Sequence, residues 1–335
     1  MKIAIIGATG LVGSVMVRVL NEGKYIAASS IESIIPAASE KSEGKEISFN
    51  NSIYKVCSIK EALSRRPDIA LFSAGSEVSK DYARQFTKQG CVVIDNSSAW
   101  RMEEDVPLIV PEVNGDVITS SDKLIANPNC STIQLVVALA PLHEKYKIKR
   151  LVISTYQSVT GTGAKALTQL MQERQGISGV KVYPHPIDLN VFPHGGVFTG
   201  NGYTSEEIKL VNETRKILRD QSIAVTATVV RVPVTGGHSE SVNVEFHEPF
   251  EMDEVLSVLS KSKGNVIQDD IDRAVYPMPL LTEGRDEVFV GRIRRDESAP
   301  NALNMWVVSD NLRKGAATNA IQIAALMLEK EFVKA

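Results

Sequence analysis

The stretch Lys2-Ile3-Ala4-Ile5-Ile6-Gly7-Ala8-Thr9-Gly10-Leu11-Val12-Gly13 decides the fold of this chain. Ile3 to Ile6 is a short apolar run suited to a strand, and Leu11 to Leu20 carries apolar residues at helical spacing. Gly7, Gly10 and Gly13 lie at the junction. A dinucleotide fingerprint requires this strand–turn–helix context, because glycines let the backbone approach a pyrophosphate seated on the helix N-terminus. The spacing holds one residue more between its first two glycines than Gly-x-Gly-x-x-Gly. A tight turn in any α/β domain is the alternative account.

Further apolar runs follow at Ile69 to Phe72, Val92 to Ile94 and Leu108 to Val110, with a helical pattern around Gln85 between two of them. Strands alternating with helices imply a parallel sheet covered on both faces. The texture changes after the helix that follows Cys130. Ile133 to His143 is a long apolar helix, Leu151 to Tyr156 a strand, and Ala164 to Arg174 and Ser205 to Leu218 are helices. Thr204 or Ser205 opens the last of these, with Glu207 in its first turn. Ala224 to Val234 and Glu240 to Glu248 alternate, with Val242, Val244 and Phe246 on one face, and Thr235-Gly236-Gly237-His238 joins them. That pattern suggests an antiparallel pair. Gly315 to Glu331 is an amphipathic helix with Ile321, Ala324, Ala325 and Leu328 on one stripe.

The expected fold is therefore α/β. An N-terminal Rossmann-like dinucleotide-binding domain (1–128) precedes an α+β domain with a largely antiparallel sheet (129–313), and a C-terminal helix (314–335) returns to the first domain. At 335 residues the chain is too long for one ordinary core. A composition of 43% hydrophobic and 23% charged residues is that of a globular protein. The net charge of −3 gives no electrostatic reason to expect nucleic acid or an anionic membrane. The most apolar run, Ile133 to Leu142, is about half the length of a membrane span. No export signal precedes the first strand, and Cys57, Cys91 and Cys130 are too scattered for a disulfide framework, so a cytoplasmic location is expected.

Asn127-Pro128-Asn129-Cys130-Ser131-Thr132 places a cysteine where a loop becomes a helix. Asn129 is a preferred N-cap type, which puts Cys130 in the first turn. Unpaired backbone N–H groups there favour a thiolate and can hold the oxyanion formed when it adds to a carbonyl. The alternative is a small buried apolar side chain. Arg231 interrupts an apolar strand, where it either forms a salt bridge or binds a substrate carboxylate. His238 follows seven residues later on a glycine-rich turn, which suits proton transfer; a surface position or a metal ligand are the other accounts. His185, His194, His238 and Cys130 lack the short ligand pair of a zinc site, so no metal is expected. Gln157 ends a strand where side chains point into clefts, and Arg101 with Lys209 would suit a divalent phosphate. Two features compete over the cofactor. Glu32 lies at the sequence distance that a ribose-binding acid takes, while Ser39, Lys41 and Ser42, within Ser39-Glu40-Lys41-Ser42-Glu43-Gly44-Lys45, offer hydroxyls and a cation suited to a 2′-phosphate; a solvated loop is the alternative account of both.

Taken together, these residues resemble the bacterial-type aspartate-semialdehyde dehydrogenases along essentially the whole chain. The resemblance rests on Gly7-Ala8-Thr9-Gly10-x-Val12-Gly13, Ser73-Ala74-Gly75, Val93-Ile94-Asp95-Asn96-Ser97-Ser98, Val110-Pro111-Glu112-Val113-Asn114 and Ala126-Asn127-Pro128-Asn129-Cys130-Ser131-Thr132. It continues through Ser154-Thr155-Tyr156-Gln157, Asn201-Gly202-Tyr203-Thr204, Arg231-Val232-Pro233-Val234, Gly237-His238-Ser239-Glu240, Val290-Gly291-Arg292-Ile293-Arg294 and Asp310-Asn311-Leu312-Arg313-Lys314-Gly315. It implies reversible, NADP- and phosphate-dependent conversion of L-aspartate 4-semialdehyde to 4-phospho-L-aspartate, on the route to lysine, threonine and methionine. By the same resemblance Cys130 would be the nucleophile, His238 the general acid and base, and Gln157 the group orienting the covalent intermediate. Arg231 would hold the substrate carboxylate, Glu206 would face its amino group, Asn129 would adjoin the substrate, and Arg101 and Lys209 would bind phosphate. Gly7, Thr9, Gly10, Leu11, Val12, Gly13, Ser39, Lys41, Ser42, Ser73 and Gly75 would contact NADP, with Thr160, Gly161 and Asn311 at the nicotinamide. A homodimer or homotetramer is implied, with the second domain's sheet as an interface.

The chain departs from the family pattern in two places. The loop usually reading Ser-x-Arg-Ser-x-Gly-Lys has Lys41 for the arginine, with Glu40 and Glu43 adding negative charge, and His194-Gly195-Gly196 replaces an apolar residue. The rival N-acetyl-γ-glutamyl-phosphate reductases carry Asn-Pro-Gly-Cys-Tyr, against which Asn129 and Ser131 argue. An acyl-CoA reductase on the same scaffold and a non-catalytic dinucleotide sensor are the remaining alternatives.

Overall fold

The computed structural model describes residues 1–333. They form two compact units, the first made of Met1–Pro128 with the described residues from Ala316 onward, the second of Asn129–Gly315.

In the first unit, β1 (Lys2–Ile6) and β2 (Ser33–Ala37) pair in parallel, and a small hairpin of β3 (Glu46–Phe49) and β4 (Ser52–Lys55) follows. β5 (Ile69–Phe72), β6 (Val92–Asp95) and β7 (Leu124–Ala126) complete a parallel sheet in the order β2-β1-β5-β6-β7. Its central strands are buried on both faces, which is why they read as unbroken apolar runs. The helix Leu11–Glu22 buries Val15, Met16, Val19 and Leu20 and stops at Gly23, whose φ of 69° makes a left-handed C-cap. The fifth strand is Leu124–Ala126 rather than the expected Leu108–Val110. Pro107 and Pro111 bracket the latter, and it makes only an isolated bridge, Leu108 to Ala126. From the end of the chain, the helix Thr318–Glu329 packs into this unit, where Asn319 Nδ2 donates to Ile109 O (3.0 Å) and Asn127 Oδ1 (2.7 Å). It runs from Thr318 to Glu329 rather than over the expected Gly315 to Glu331, and Arg313–Ala317 before it winds as a π-helical turn.

The second unit is built on a mixed sheet of β8 (Ile148–Gln157), β9 (Ala224–Arg231), β10 (His238–Phe246), β11 (Asn265–Ile267), β12 (Val288–Arg295) and β13 (Ala302–Ser309). The order is β11-β12-β13-β10-β8-β9. Here the expectation of a paired β9 and β10 is corrected. β8 lies between them, parallel to β9 and antiparallel to β10, so the segment 232–237 crosses the end of β8 instead of closing a hairpin. One face of the sheet is covered by the helices Cys130–Tyr146, Ser205–Leu218 and Met252–Lys261. The first of these is buried nearly all round, from Ser131 through Leu142, which accounts for its apolar composition. On the other face Tyr156 and Trp306 contact at 5.3 Å between ring centroids. Beside them Tyr276, Met278 and Met305 line an apolar hollow, and Leu280 and Leu281 are exposed nearby in sequence.

Candidate active site

In the first unit, glycine is required at two of the three fingerprint positions. Gly7 sits at a φ of +91°, and a Cβ there would lie 2.5 Å from Ser73 O; a Cβ on Gly13 would lie 2.1 Å from Gly7 O. The turn is therefore folded against its own helix and against the end of β5, leaving an open backbone cradle of the kind that accepts a pyrophosphate. Gly75, at a φ of 90°, caps the next helix, Ser76–Lys88. Thr9 Oγ1 donates to Ser42 Oγ (3.2 Å), tying the glycine loop to the Ser39–Lys45 segment. The register of β1 on β2 separates the two candidate cofactor features. Lys2 pairs with Ser33 and Ile6 with Ala37, so Glu32 lies at the far end of β2 from the glycine loop, about 16 Å away along the strand. Ser39, Lys41 and Ser42 follow the near end. Arg101, also in this unit, is buried and donates from Nη2 to Asn96 O (2.9 Å).

In the second unit, Asn129 caps the cysteine helix, its side chain accepting from Ser131 N–H at 3.0 Å, and Cys130 is the first helical residue. Glu213 Oε2 accepts from Asn129 N–H (2.7 Å), and Asn129 Nδ2 donates to Glu206 Oε2 (2.9 Å). Lys209 pairs with the other Glu206 oxygen. Burial alone would push the Glu206 carboxyl up; the Lys209 ammonium and the Asn129 amide outweigh it and hold the group below the usual carboxylate range. The helix carrying Glu206 and Lys209 opens with a full capping box of Thr204 and Glu207. Behind the thiol, a Cβ on Gly315 would stand 2.9 Å from Cys130 Cβ, so only a bare backbone fits there.

Arg231, Gln157 and His238 form one row across three strands, Arg231 opposite Gln157 and Gln157 opposite His238. Partners in register point to the same face, so a single sheet edge presents a cation, an amide and an imidazole together. Gln157 Nε2 donates to Ser131 Oγ (2.7 Å), tying the row to the first turn of the cysteine helix. Arg231 is buried, donates from Nη1 to Ser158 O (3.2 Å), and forms no ion pair among the described residues. The salt-bridge account of Arg231 thus has no counterpart there. The Arg231 Nε has no hydrogen-bond partner among the described residues, and a guanidinium with an unused N–H has the chemistry to bind a carboxylate.

His238 is fully buried. Burial, and next the Arg231 charge, lower its pKa to about 3, so the ring is neutral at physiological pH. Its Nδ1 has partners for both neutral tautomers. Ser158 N–H donates to it at 3.1 Å, while Ser158 Oγ (3.2 Å) can accept from it. Nε2, which has no partner among the described residues, can therefore present either a proton or a lone pair. Gly161 lies directly against this atom; a Cβ there would be 2.9 Å from both Cε1 and Nε2. Asn311 backs the arrangement, its Oδ1 accepting from Ser158 Oγ (3.0 Å) and its Nδ2 donating to Thr160 Oγ1 (3.1 Å).

Asn129, Cys130, Gln157, Thr160, Gly161, Glu206, Lys209, Arg231, His238 and Asn311 thus belong to one connected set within the second unit. Ser131 and Ser158 join it without having been expected. Each directly follows an expected residue, Cys130 and Gln157, and position was the only available signal. His194 stands apart, stacked on Phe198 at 4.6 Å. Among the described residues no cluster of three His, Cys, Asp or Glu could hold a metal ion, and no helix is long and apolar enough to cross a membrane.

The two units coincide with two known domain types. Residues 2–121 match the family model "Semialdehyde dehydrogenase, NAD binding domain", and residues 139–314 match "Semialdehyde dehydrogenase, dimerisation domain". The class is that of the two-domain, NAD(P)-binding semialdehyde dehydrogenases. The chain is 48% identical to the aspartate-semialdehyde dehydrogenase of Aquifex aeolicus, with 99% of each chain covered. It superimposes with a TM-score of 0.92, at 42% identity and 98% coverage of both chains, on an aspartate semialdehyde dehydrogenase II from Vibrio cholerae complexed with ASA. A Candida albicans aspartate semialdehyde dehydrogenase with NADP gives a TM-score of 0.77 at 26% identity, with 99% of each chain covered. The chain belongs to the aspartate-semialdehyde dehydrogenase family.

Proposed function

We propose that this protein interconverts L-aspartate 4-semialdehyde and 4-phospho-L-aspartate through a thioester on Cys130, with NADP and phosphate as co-substrates. The observation that carries the reading is the row Arg231–Gln157–His238 tied by Ser131 to the turn that presents Cys130. In the oxidative direction the Cys130 thiolate attacks the aldehyde carbon, and the first-turn N–H groups of its helix stabilise the oxyanion. Gln157 orients the resulting thiohemiacetal. His238 Nε2, free in the tautomer whose proton sits on Nδ1, takes the hydroxyl proton to give the imidazolium, which returns that proton from Nε2 when the reaction runs backwards. The bound nicotinamide accepts the hydride that leaves the thiohemiacetal carbon, so a thioester remains on Cys130. Phosphate then displaces the thiolate as an acyl phosphate. Arg231 pairs with the substrate carboxylate and Glu206, held anionic, with its ammonium.

Gly7, Thr9, Gly10, Leu11, Val12, Gly13, Ser73 and Gly75 are proposed to hold the dinucleotide, with Thr160, Gly161 and Asn311 at its nicotinamide. Ser39, Lys41 and Ser42 are proposed to meet the 2′-phosphate. Their position at the near end of β2, opposite that of Glu32, supports NADP. The phosphate roles of Arg101 and Lys209 and assembly as a homodimer or homotetramer rest on the family resemblance, and a cytoplasmic location on the scattered cysteines Cys57, Cys91 and Cys130. The exposed apolar residues beside the Tyr156–Trp306 pair support the assembly.

The test is NADP reduction by aspartate semialdehyde, with and without phosphate, on the parent protein and Cys130→Ala. Phosphate-dependent turnover lost in the variant is expected. Turnover surviving in Cys130→Ala would remove the cysteine from the reaction, and activity with NAD equal to that with NADP would remove the 2′-phosphate role.

A further inference from the structure

Glu240 lies two residues beyond His238 on β10, on the face covered by the cysteine helix, with Thr155 and Val307 beside it in register. The side chain is completely buried. The groups acting on its carboxyl are Gln134 and Ser131, both neutral. A carboxylate so placed would sit in a low dielectric without a cation, an arrangement proteins avoid by protonating the group. Burial indeed holds this carboxyl well above the usual carboxylate range.

Hydrogen-bond accounting leads to the same state. Four buried atoms on two neighbouring side chains, Glu240 Oε1 and Oε2 with Gln134 Oε1 and Nε2, have no hydrogen-bond partner among the described residues, so both groups stand unsatisfied while the acid is an anion. A carboxylic acid and a carboxamide are complementary: the acid O–H donates to the amide oxygen and the amide N–H donates to the acid carbonyl. A carboxylate would leave Gln134 Oε1 facing an anion with no proton between them. Ser131 Oγ already accepts from Gln157 Nε2, so its own hydroxyl proton is left for a further acceptor, and Ser131 is among the groups acting on the unpartnered Glu240 carboxyl.

We propose that Glu240 is a positioning residue, paired as a neutral acid with Gln134, that holds Ser131 and through it the Gln157 amide behind Cys130. This deepens the functional reading above, since the consequence for turnover rests on the role of Gln157. A neutral group here also keeps a second negative charge away from the helix turn that carries the nucleophile.

The experiment compares the parent with Glu240→Gln, Glu240→Ala, Gln157→Ala and the double variant Glu240→Ala/Gln157→Ala. Turnover, melting temperature and dinucleotide binding are measured for each. Glutamine can pair with Gln134 as the acid does, so Glu240→Gln is expected to stay within about threefold of the parent in kcat. Glu240→Ala is expected to lose roughly 10- to 100-fold in kcat, with a smaller change in KM, while still binding dinucleotide. The double variant should be no slower than Gln157→Ala alone, because one residue acts through the other. Losses that multiply, or a Glu240→Gln as slow as Glu240→Ala, would overturn the proposal. Infrared spectroscopy at neutral pH gives a readout that needs no substrate. A protonated-carboxyl C=O band present in the parent and missing in Glu240→Gln is expected, and its absence from the parent refutes the pairing. An inactive parent defeats the functional reading instead, and the infrared comparison still decides the state of Glu240.

Discussion

Replacing Gly161 by alanine tests whether the His238 ring is held by packing as well as by hydrogen bonds. The added Cβ would lie 2.9 Å from Cε1 and Nε2, and 3.3 Å from Arg231 Nη1. An ordinary contact needs about 3.5–4.0 Å, so the ring must retreat by roughly 0.6–1 Å. It has nowhere open to go, being fully buried, and its Nδ1 is anchored 3.1 Å from Ser158 N. Stretching that bond forfeits about 1 kcal/mol, and the overpacking costs about 1–3 kcal/mol. The backbone is not strained by the change, since Gly161 does not occupy a left-handed conformation. The larger effect falls on rate: a displacement of about 1 Å at Nε2, the atom proposed to transfer the proton, is expected to lower kcat up to about 100-fold. Steady-state turnover, thermal melts and a fluorescence titration with NADP together separate this from lost folding or cofactor binding. A folded Gly161→Ala with kcat within about twofold of the parent would refute the packing argument.

In the first unit, Gly13→Ala would set a Cβ 2.1 Å from the Gly7 carbonyl, backbone against backbone. A loss of roughly 3 kcal/mol or more and failure to bind dinucleotide are expected in denaturant titrations and binding assays. His238 sets an acid dependence of stability. Its folded pKa of about 3 lies below the unburied 6.5, so between these values the unfolded chain binds a proton that the folded one does not. Stability contributed by the neutral ring is complete above about pH 6.5 and falls as pH drops towards 3, by up to about 5 kcal/mol. His238→Asn should flatten that decline in denaturant unfolding followed from pH 7 to pH 4. Lys41→Ala should lower the preference for NADP over NAD by about tenfold in kcat/KM, the size of one lost charge-assisted contact; an unchanged ratio would exclude Lys41 from cofactor choice.

Much of this architecture was legible because it is local. The glycine loop, the Asn129 cap and the Thr204–Glu207 capping box are each decided within a few residues, and all three have the expected form. Strand pairing is not local. The glycine-rich connection between Arg231 and His238 reads as a hairpin, and only the placement of β8, more than 60 residues earlier in the chain, shows that it crosses another strand. Leu108–Val110 is more apolar than many strands, but flanking prolines leave it a single bridge. Glu240 could have been noticed: it shares the parity of Val242, Val244 and Phe246, so alternation already put a carboxyl on the buried face. Its relation to Ser131 and Gln134 depends on how a helix lies over a sheet, which no short stretch of sequence encodes.

The cross-strand row has a consequence for how such a site can change. Its three members are spaced by backbone hydrogen bonding and alternate with side chains facing the opposite way. A slip of β9 by one residue would bring Val230 into line and turn Arg231 to the opposite face. Half-measures are therefore closed to it: the groups can be lengthened, shortened or exchanged where they stand, but they cannot drift. New specificity on this scaffold must come from replacing side chains at fixed stations, and a misregistered sheet would yield no weakened enzyme, only an inert one.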